Sequence, residues 1–472
     1  GTQGFTGSLS INGGTLATQV NLSVSVVNLN SGGIFELINN SSINELNFNG
    51  GTLTLNAKTL TMTKLTLQSG TSFDLPNSNI STQSVEIKSG ATFNVTDNMS
   101  ITTLTLNSGS TLNITGGKTL TVTNLVYNDG TNAYPLPAGL TATNITVKNT
   151  ATFNVNSNFS FGSLIIEGGG SVSVSSATLT MSGNLSNSGT LDLGGNKVTF
   201  TGGNTVSGTV AFTDVDISGG VNFGTGSTIN GTLQINVGGF VNTNAPTYAT
   251  NSVLKYNSAT TYGRGTEWSS TTGLGYPYNV LLTSNTTLNL GANSGEAVAR
   301  QIAGTLTIDA GSTLQLTGTN PMVASLTVLK DITIAGTLNL STSIGGDLNV
   351  GGNFTNNGTF NCSGREVVFQ GSATQSISGS QSITFDYFAM NNSNGITLDR
   401  SITIDDRLRM ETGKLTLGAN TLTLNSGAVV SGAALSNTNM VVASGTGKFR
   451  KMYSDGNGAV AAFTFPIGDA SN

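Results

Sequence analysis

The sequence predicts an all-β protein: an elongated, right-handed parallel β-helix with about 20 residues and three short strands in each coil. Three observations lead to this class. Apolar segments begin at a nearly constant interval, each interval holds three pairs of alternating apolar residues, and small turn residues separate the pairs. So regular a period indicates stacked repeats rather than separate globular domains. The apolar segments begin at residues 9, 27, 46, 65, 85, 104, 125, 145, 164 and 185.

The three apolar pairs of one period are clearest in LTLNSGSTLNITGGKTLTV, residues 104–122. Residues two apart on a strand point to the same face, so each pair predicts one short strand with its apolar side chains pointing inward. No stretch of the chain keeps apolar residues at the i, i+3, i+4, i+7 spacing of an amphipathic helix. The pairs are Leu104/Leu106, Leu112/Ile114 and Leu120/Val122.

A short turn separates the first and second predicted strands of each coil. Glycine supplies the positive φ angle that such a corner requires, and asparagine tolerates it. We therefore expect the glycine of each turn to close a corner of the coil. The turns include Gln68-Ser69-Gly70, Lys88-Ser89-Gly90 and Asn107-Ser108-Gly109.

The period changes along the chain, and the changes predict four successive segments of one continuous solenoid. Residues 197–223 are similar to residues 366–398, and residues 252–290 are a middle version with an insertion, which places seams near residues 197, 252 and 366. The predicted segments are 1–196 with regular coils, 197–251 with looser coils, 252–365 with an aromatic-rich insertion at 248–278, and 366–472, whose coils continue into a truncated C-terminal module.

The low charge of the chain argues against two classes of partner. Only 9% of the residues are charged and the net charge is −5, so nothing forms the basic surface that nucleic-acid binding needs. No run of about 18 apolar residues exists, so we expect no membrane insertion. The first residues, GTQGFTGSLS, lack the regions of a signal peptide, and we expect either a mature terminus or a cut in a longer chain.

The residue types needed for most metal and cofactor chemistry are scarce. The chain has no histidine and one cysteine, which excludes histidine-based triads, histidine metal sites and thiolate zinc clusters. We therefore predict no catalytic residue, no cofactor and no metal, and a protein that is not an enzyme. Cys362 alternates with Phe360, so we expect it to be a small buried hydrophobic residue.

Carboxylates leave one enzymatic alternative open, because glycoside hydrolysis needs only two of them about 5 to 9.5 Å apart. Asp214 and Asp216 alternate with apolar residues, so we expect them to share the solvent face of a strand. We interpret Asp214, Asp216 and the acids of residues 405–411 as parts of solvated faces that discourage aggregation. The candidates are Asp214/Asp216, Asp405/Asp406 with Arg407, Arg409 and Glu411, and Glu267 beside Arg264.

Residues 248–278 hold five of the nine tyrosines and the only tryptophan. Tyrosine and tryptophan offer flat amphipathic surfaces that suit sugar rings or protein partners, and a neighbouring arginine and glutamate add polar contacts. The competing interpretation is an inserted loop that folds its aromatic side chains back onto the solenoid. The predicted ligand or glycan contacts are Tyr256, Tyr262, Arg264, Glu267, Trp268, Tyr276 and Tyr278.

Outward residues beside the third apolar pairs form two columns rich in threonine. Stacked Thr-x-Thr columns resemble the ice-binding face of some antifreeze proteins, although threonine is also the ordinary solvent-facing residue of strands. We favour the ordinary interpretation and keep ice binding as an alternative. The columns contain Thr61/Thr63, Ser81/Gln83, Ser100/Thr102, Thr121/Thr123 and Thr141/Thr143.

Two segments resemble parts of large repetitive cell-surface proteins from Bacteroidota: YGRGTEW at 262–268 and GKFRKMYSDGNGAVAAFTFPIGDASN at 447–472. The resemblance is clearest over residues 252–472. The coils of residues 1–196 are also similar in length to those of filamentous-haemagglutinin-like adhesins. The resemblance implies an adhesin or surface fibre exported by the type IX secretion system, although no C-terminal sorting domain is visible.

Together these features predict a non-enzymatic, extracellular stalk or fibre segment of a bacterial surface protein. The expected partners are extracellular or cell-surface glycans or proteins, and self-assembly into filaments is a variant of this prediction. Two alternatives remain: a carbohydrate-active or glycan-binding β-helix, and an ice-binding protein.

Overall fold

The strands of the chain pair in parallel with strands one coil away, as seen in a computed structural model. The predicted all-β parallel solenoid is confirmed. By its contacts the chain divides into two compact units, Gly1–Val210 and Ala211–Asn472. The predicted seams, near residues 197, 252 and 366, stay predictions. The structure describes residues 3–20, 22–75, 79–130, 137–269, 271–291, 297–443, 445–454 and 462–469, none of which is in an α-helix.

The longest strands of the first unit form one parallel face, here called face 1A. Most of them join the third apolar pair of one coil to the first pair of the next, so two of the three predicted strands run together. In Leu60–Leu67, two successive outward residues, Thr63 and Lys64, separate the buried pairs and re-aim the second pair. Face 1A consists of Gln3–Ile11, Leu22–Asn30, Ser41–Asn49, Leu60–Leu67, Ile80–Ile87, Met99–Leu106, Leu120–Tyr127, Leu140–Val147, Ser163–Ile166, Leu185–Asn187 and Asn204–Gly208.

The ten predicted repeat starts are strand partners of one another on face 1A, which confirms the period. Apart from the first, their side chains are almost fully buried, so the column is a continuous apolar core strip. The column runs through Leu9, Val27, Leu46, Leu65, Val85, Leu104, Leu125, Ile145, Leu164 and Leu185.

The second apolar pairs of the first unit form face 1B, and separate third strands form face 1C. On face 1B, Phe73 and Phe93 are strand partners with ring centroids 6.2 Å apart. Face 1B consists of Gly14–Thr18, Gly33–Leu37, Thr52–Thr54, Ser72–Asp74, Thr92–Val95, Thr111–Ile114, Thr152–Val155, Ser171–Val174 and Thr190–Asp192. Face 1C consists of Phe159–Phe161, Leu179–Met181 and Lys197–Phe200.

The predicted corners of the first unit have the expected backbone. Gly70, Gly90 and Gly109 have φ angles of 76°, 71° and 69°, in the left-handed region that glycine enters without penalty. Thr150 takes the corresponding corner with φ 66°. Glycine therefore lowers the energetic cost of the corner, but the corner also forms without it.

The second unit has three sets of strands, named by their order within a coil. Where a coil has all three strands, the face 2C strand comes first in the chain, the face 2A strand second and the face 2B strand third. Face 2A consists of Asp214–Ile217, Thr232–Asn236, Val253–Asn257, Asn279–Leu282, Leu306–Ile308, Ile332–Ile334, Phe354–Asn356, Gln375–Ser378, Ile396–Leu398, Asn439–Val442 and Ile467–Gly468. Face 2B consists of Gly220–Asn222, Phe240–Val241, Thr261–Gly263, Thr287–Asn289, Thr313–Gln315, Thr337–Asn339 and Thr359–Asn361.

Face 2C contains the longest strand of the second unit, Ile402–Thr416, whose last residues also pair with face 2A. The strand Val210–Phe212 contains the boundary between the units. Cys362 is buried as expected, and burial raises the pKa of its thiol to about 12. Face 2C consists of Ser227–Ile229, Thr247–Tyr248, Arg300–Ile302, Leu326–Val328, Leu348–Val350, Glu366–Phe369, Ile383–Asn391, Ile402–Thr416, Thr421–Leu424, Val429–Gly432 and Lys448–Lys451.

Candidate functional site

The aromatic-rich insertion replaces one strand of a coil in the second unit. After Val253–Asn257 on face 2A and Thr261–Gly263 on face 2B, the chain forms the 3₁₀-helix Thr266–Trp268, and the described residues of this coil include no face 2C strand before Asn279–Leu282. Trp268 is fully buried, and its Nε1–H donates to the carbonyl oxygen of Gln301 in the next coil at 3.1 Å. The indole therefore fills the core beneath the interrupted face.

Glu267 lies in the same buried turn and is surrounded by tyrosines. Its Oε1 accepts hydrogen bonds from the Tyr256 hydroxyl at 3.1 Å and from the Gly265 amide at 2.8 Å. Its main-chain carbonyl accepts from the Tyr248 hydroxyl at 3.0 Å. The second carboxyl oxygen, Oε2, and the Tyr262 hydroxyl are buried without a hydrogen-bond partner of good geometry.

Burial governs the protonation of this cluster. It raises the pKa of Glu267, because a charged carboxylate is poorly solvated there, and the hydrogen bonds from Gly265 and Tyr256 only partly oppose this shift. Burial, together with the nearby carboxyl, also raises the pKa values of Tyr248, Tyr256 and Tyr262. The cluster therefore favours neutral, hydrogen-bonded side chains.

Two arginines fasten the backbone of the insertion. Arg264 is 7% exposed, and its Nη1 donates to the carbonyl oxygens of Gly265 at 2.9 Å and Trp268 at 3.2 Å. Arg300, from the next coil, donates from Nη1 to the carbonyl oxygen of Ser269 at 2.7 Å. Carbonyl groups that lack a strand partner thus gain charge-assisted hydrogen bonds.

The predicted contact residues are brought together, but they differ in exposure. Tyr262, Tyr276 and Tyr278 are half-buried. The Tyr276 hydroxyl accepts from Gln301 Nε2 at 2.7 Å, which fixes its orientation. The Tyr262 hydroxyl is buried, and ligand contact by the predicted set stays a prediction. The buried members are Tyr256, Arg264, Glu267 and Trp268.

The charged candidates around Ile402–Thr416 form a network on the outward side of face 2C. Arg409 donates from Nε and Nη2 to the two carboxyl oxygens of Glu366, at 2.9 and 2.6 Å, and from Nη1 to Glu411 at 2.9 Å. Arg407 lies 5.0 Å from the centre of the Tyr387 ring. The sequence did not point to Glu366, because it lies two coils before Arg409 in the chain. The strand register, in which Glu366 pairs with Tyr387 and Tyr387 with Arg407, brings the two residues together.

The remaining acidic candidates occupy outward positions of strands. Asp405 accepts a hydrogen bond from Asn425, and Asp406 is exposed. Asp214 and Asp216 are half-buried and alternate with buried residues, as expected for a shared outward face. Asp214 also accepts from the main-chain amide of Thr232 at 2.8 Å, which ties it to the next coil.

The threonine-rich columns are on the surface of the first unit, beside face 1A's buried pairs. All ten predicted members are exposed. In the column nearer the N-terminal end of each strand, Thr121 pairs in register with both Ser100 and Thr141. The Thr141 hydroxyl donates to the Thr121 hydroxyl at 3.3 Å, so part of the column's hydrogen-bonding capacity is used within the protein.

Ladders of asparagine side chains are a feature that sequence reasoning missed. Asn113 donates to Asn94 at 2.7 Å, Asn144 to Asn124 at 3.0 Å, and Asn257 to Asn236 at 2.9 Å. In each ladder one amide repeats a coil later, so recurrence of asparagine at the coil period was the available signal. Stacked amides satisfy one another and add to the parallel pairing of the backbone.

Within the described ranges, no group of three or more cysteine, aspartate or glutamate side chains is placed to hold a metal ion. In the same part of the chain, no helix has the length and apolar character needed to cross a membrane. No protein-family model, curated protein or solved structure matches the chain.

Proposed function

We propose that the chain is a non-enzymatic, extracellular scaffold, a stalk or fibre segment of a bacterial surface protein, that binds its partners through repeated surface features. One observation carries the proposal: equivalent positions from Leu9 to Leu185 align in register. The outward positions between them therefore also recur coil after coil. Many weak, identical contacts along such a surface give high avidity without a deep pocket.

The charges and aromatic side chains of the second unit support a structural role. The network of Arg409, Glu366 and Glu411 links coils to one another, and Glu267 and Trp268 close the interrupted coil. Each of these groups makes its contacts within the fold. The partners we propose are extracellular glycans or proteins, and further copies of the chain in a filament.

The bacterial surface location and the type IX export route rest on the resemblance of residues 262–268 and 447–472 to Bacteroidota surface proteins. Surface display tests the adhesive function independently of that origin. Cells that display the chain on an outer-membrane anchor should attach to glycan- or protein-coated surfaces, or clump, more than cells displaying the anchor alone. Equal attachment and no clumping would contradict the proposal.

The exposed threonine columns favour ice binding as a second candidate function, because Ser100, Thr121 and Thr141 lie in register on the surface. Thermal hysteresis of the purified chain tests this candidate. If it is correct, Thr121→Lys abolishes the hysteresis, because a charged side chain disrupts the hydroxyl array, while Thr105→Lys on the neighbouring half-buried column has a smaller effect. Absence of thermal hysteresis in the wild-type protein would exclude ice binding.

A further inference from the structure

Two parallel rows of polar side chains line a groove of about 410 Å³ on the first unit. One row runs from Ser10 through Asn28 to Asn47, and the other runs from Asn12 through Asn30 to Asn49. The rows lie two residues apart on the strands of face 1A and at the corner that follows. The groove is lined by Ser10, Asn28, Asn30, Asn47, Asn49, Gln68 and Ser69.

Hydrogen bonds along each row fix the orientation of the amides. Asn47 Nδ2 donates to Asn28 Oδ1 at 2.9 Å, and Asn49 Nδ2 donates to Asn30 Oδ1 at 3.1 Å. An asparagine amide has two N–H donors and two acceptor sites, so a ladder bond leaves a second N–H and an acceptor site on each amide. Since the ladder has already ordered these side chains, a ligand loses little conformational entropy on binding them.

The lining of the groove defines the chemistry of the ligand. None of its lining side chains is charged or aliphatic, so it offers neither ion pairs nor an apolar surface. Amide donors and acceptors repeat at the strand spacing of about 4.8 Å, which is close to the length of one pyranose ring. An uncharged ligand with many hydroxyl groups, extended along the stacking direction, matches this pattern best.

From this geometry we infer that the groove binds a linear, uncharged polysaccharide whose hydroxyl groups bond to Asn28, Asn30, Asn47 and Asn49. The inference rests on the proposed adhesive function and names one ligand class for it. Hydrogen bonds to the Oδ1 and Nδ2 atoms of the two rows would hold successive sugar rings.

Isothermal titration of the purified chain with soluble neutral oligosaccharides, including cellohexaose and mannohexaose, tests the inference. We expect one of these probes to bind, and the double variant Asn47→Ala/Asn49→Ala to bind about tenfold more weakly, because a typical hydrogen bond contributes that order of affinity. The matched control is Asn94→Ala/Asn113→Ala, which breaks an amide ladder on face 1B, outside the groove, and should keep the wild-type affinity.

A second variant separates loss of binding from loss of folding. Ser69→Leu fills the groove without removing a ladder amide, so it should weaken binding while the circular dichroism spectrum stays unchanged. Binding should also be insensitive to salt, since no charged side chain takes part.

The inference is overturned if no neutral oligosaccharide binds, if the groove and control variants bind equally well, or if high salt abolishes binding. Attachment of the displaying cells to protein-coated surfaces would survive this failure. Polysaccharide binding in the groove and the broader adhesive function are therefore tested separately.

Discussion

Glu267 shows how a residue's surroundings decide its role. In the sequence it stands beside Arg264 and Trp268 and looks like a polar contact for a ligand. The structure buries its carboxyl beside three tyrosines, with hydrogen bonds from Tyr256 and Gly265. A carboxyl in such a place is most stable when neutral, so its first effect is on folding.

The raised pKa of Glu267 predicts that the second unit loses stability as the pH rises. Burial holds the folded pKa above the ordinary value of 4.5. The stabilisation is therefore fully present below that value and is lost as the pH rises through the folded pKa. Glu267→Gln remains neutral, so the variant should lack this loss. Urea unfolding followed by the fluorescence of Trp268, the only tryptophan, measures the effect at each pH.

Glu86 should show the opposite dependence of stability on pH. Burial tends to raise the pKa of Glu86, but hydrogen bonds from Lys64 and Lys88 outweigh burial and lower it. Its stabilisation is therefore present above the ordinary value of 4.5 and is lost as the pH falls through the folded pKa. A stability difference between Glu267→Gln and wild type that stays constant with pH would refute the assignment of Glu267.

The positive φ angle of Gly109 predicts that a side chain at this corner lowers the stability of the fold. Its φ angle is 69°, while a Cβ built there would meet its neighbours only at ordinary contact distances of 3.6 Å or more. Gly109→Ala should therefore destabilise the first unit by about 1–2 kcal/mol through backbone strain alone. Gly116→Ala, at an open position without positive φ, should change stability by less than about 0.5 kcal/mol. Calorimetric unfolding of both variants measures this, and equal effects would contradict the strain argument.

At the scale of elements, the insertion shows where one coil departs from the repeat. The 3₁₀-helix Thr266–Trp268 lies in a coil whose described residues include no face 2C strand, and Trp268 is fully buried in its core. The carbonyl groups that lose strand partners bond instead to Arg264 and Arg300. An irregular coil is thus tolerated because side chains satisfy both its apolar core and its polar backbone.

Trp268 should contribute strongly to the stability of the second unit. Trp268→Ala leaves a large cavity in a fully buried site and should cost about 3–5 kcal/mol. Trp268→Phe keeps most of the apolar contact but loses the hydrogen bond to Gln301, which should cost about 1 kcal/mol more than the lost volume alone. Denaturation followed by circular dichroism measures both, and a loss below about 1 kcal/mol for Trp268→Ala would show that the ring does not fill the core.

The strands and corners were predictable because their physical causes are local. Apolar residues two apart specify the inward face, and a glycine in the turn specifies the corner, as in Leu104–Gly109. The burial of Glu267 and the partnership of Arg409 with Glu366 were not predictable in the same way. They depend on which residues from other coils lie alongside, and irregular coil lengths in the second unit obscure that register.

At the scale of the whole chain, the period predicts which residues become neighbours over the first unit. The register of the repeat starts follows from it, and so do the exposed threonine columns. The contacts divide the chain between Val210 and Ala211, and the predicted seam near residue 197 stays a prediction.

Retention on an immobilised neutral polysaccharide, measured together with released reducing ends, tests the central claim most directly. A non-enzymatic adhesive scaffold should be retained by at least one polysaccharide and should release no reducing ends over long incubation. A rise in reducing ends that Asp405→Asn or Asp406→Asn abolishes would contradict this account and establish the carbohydrate-active alternative instead.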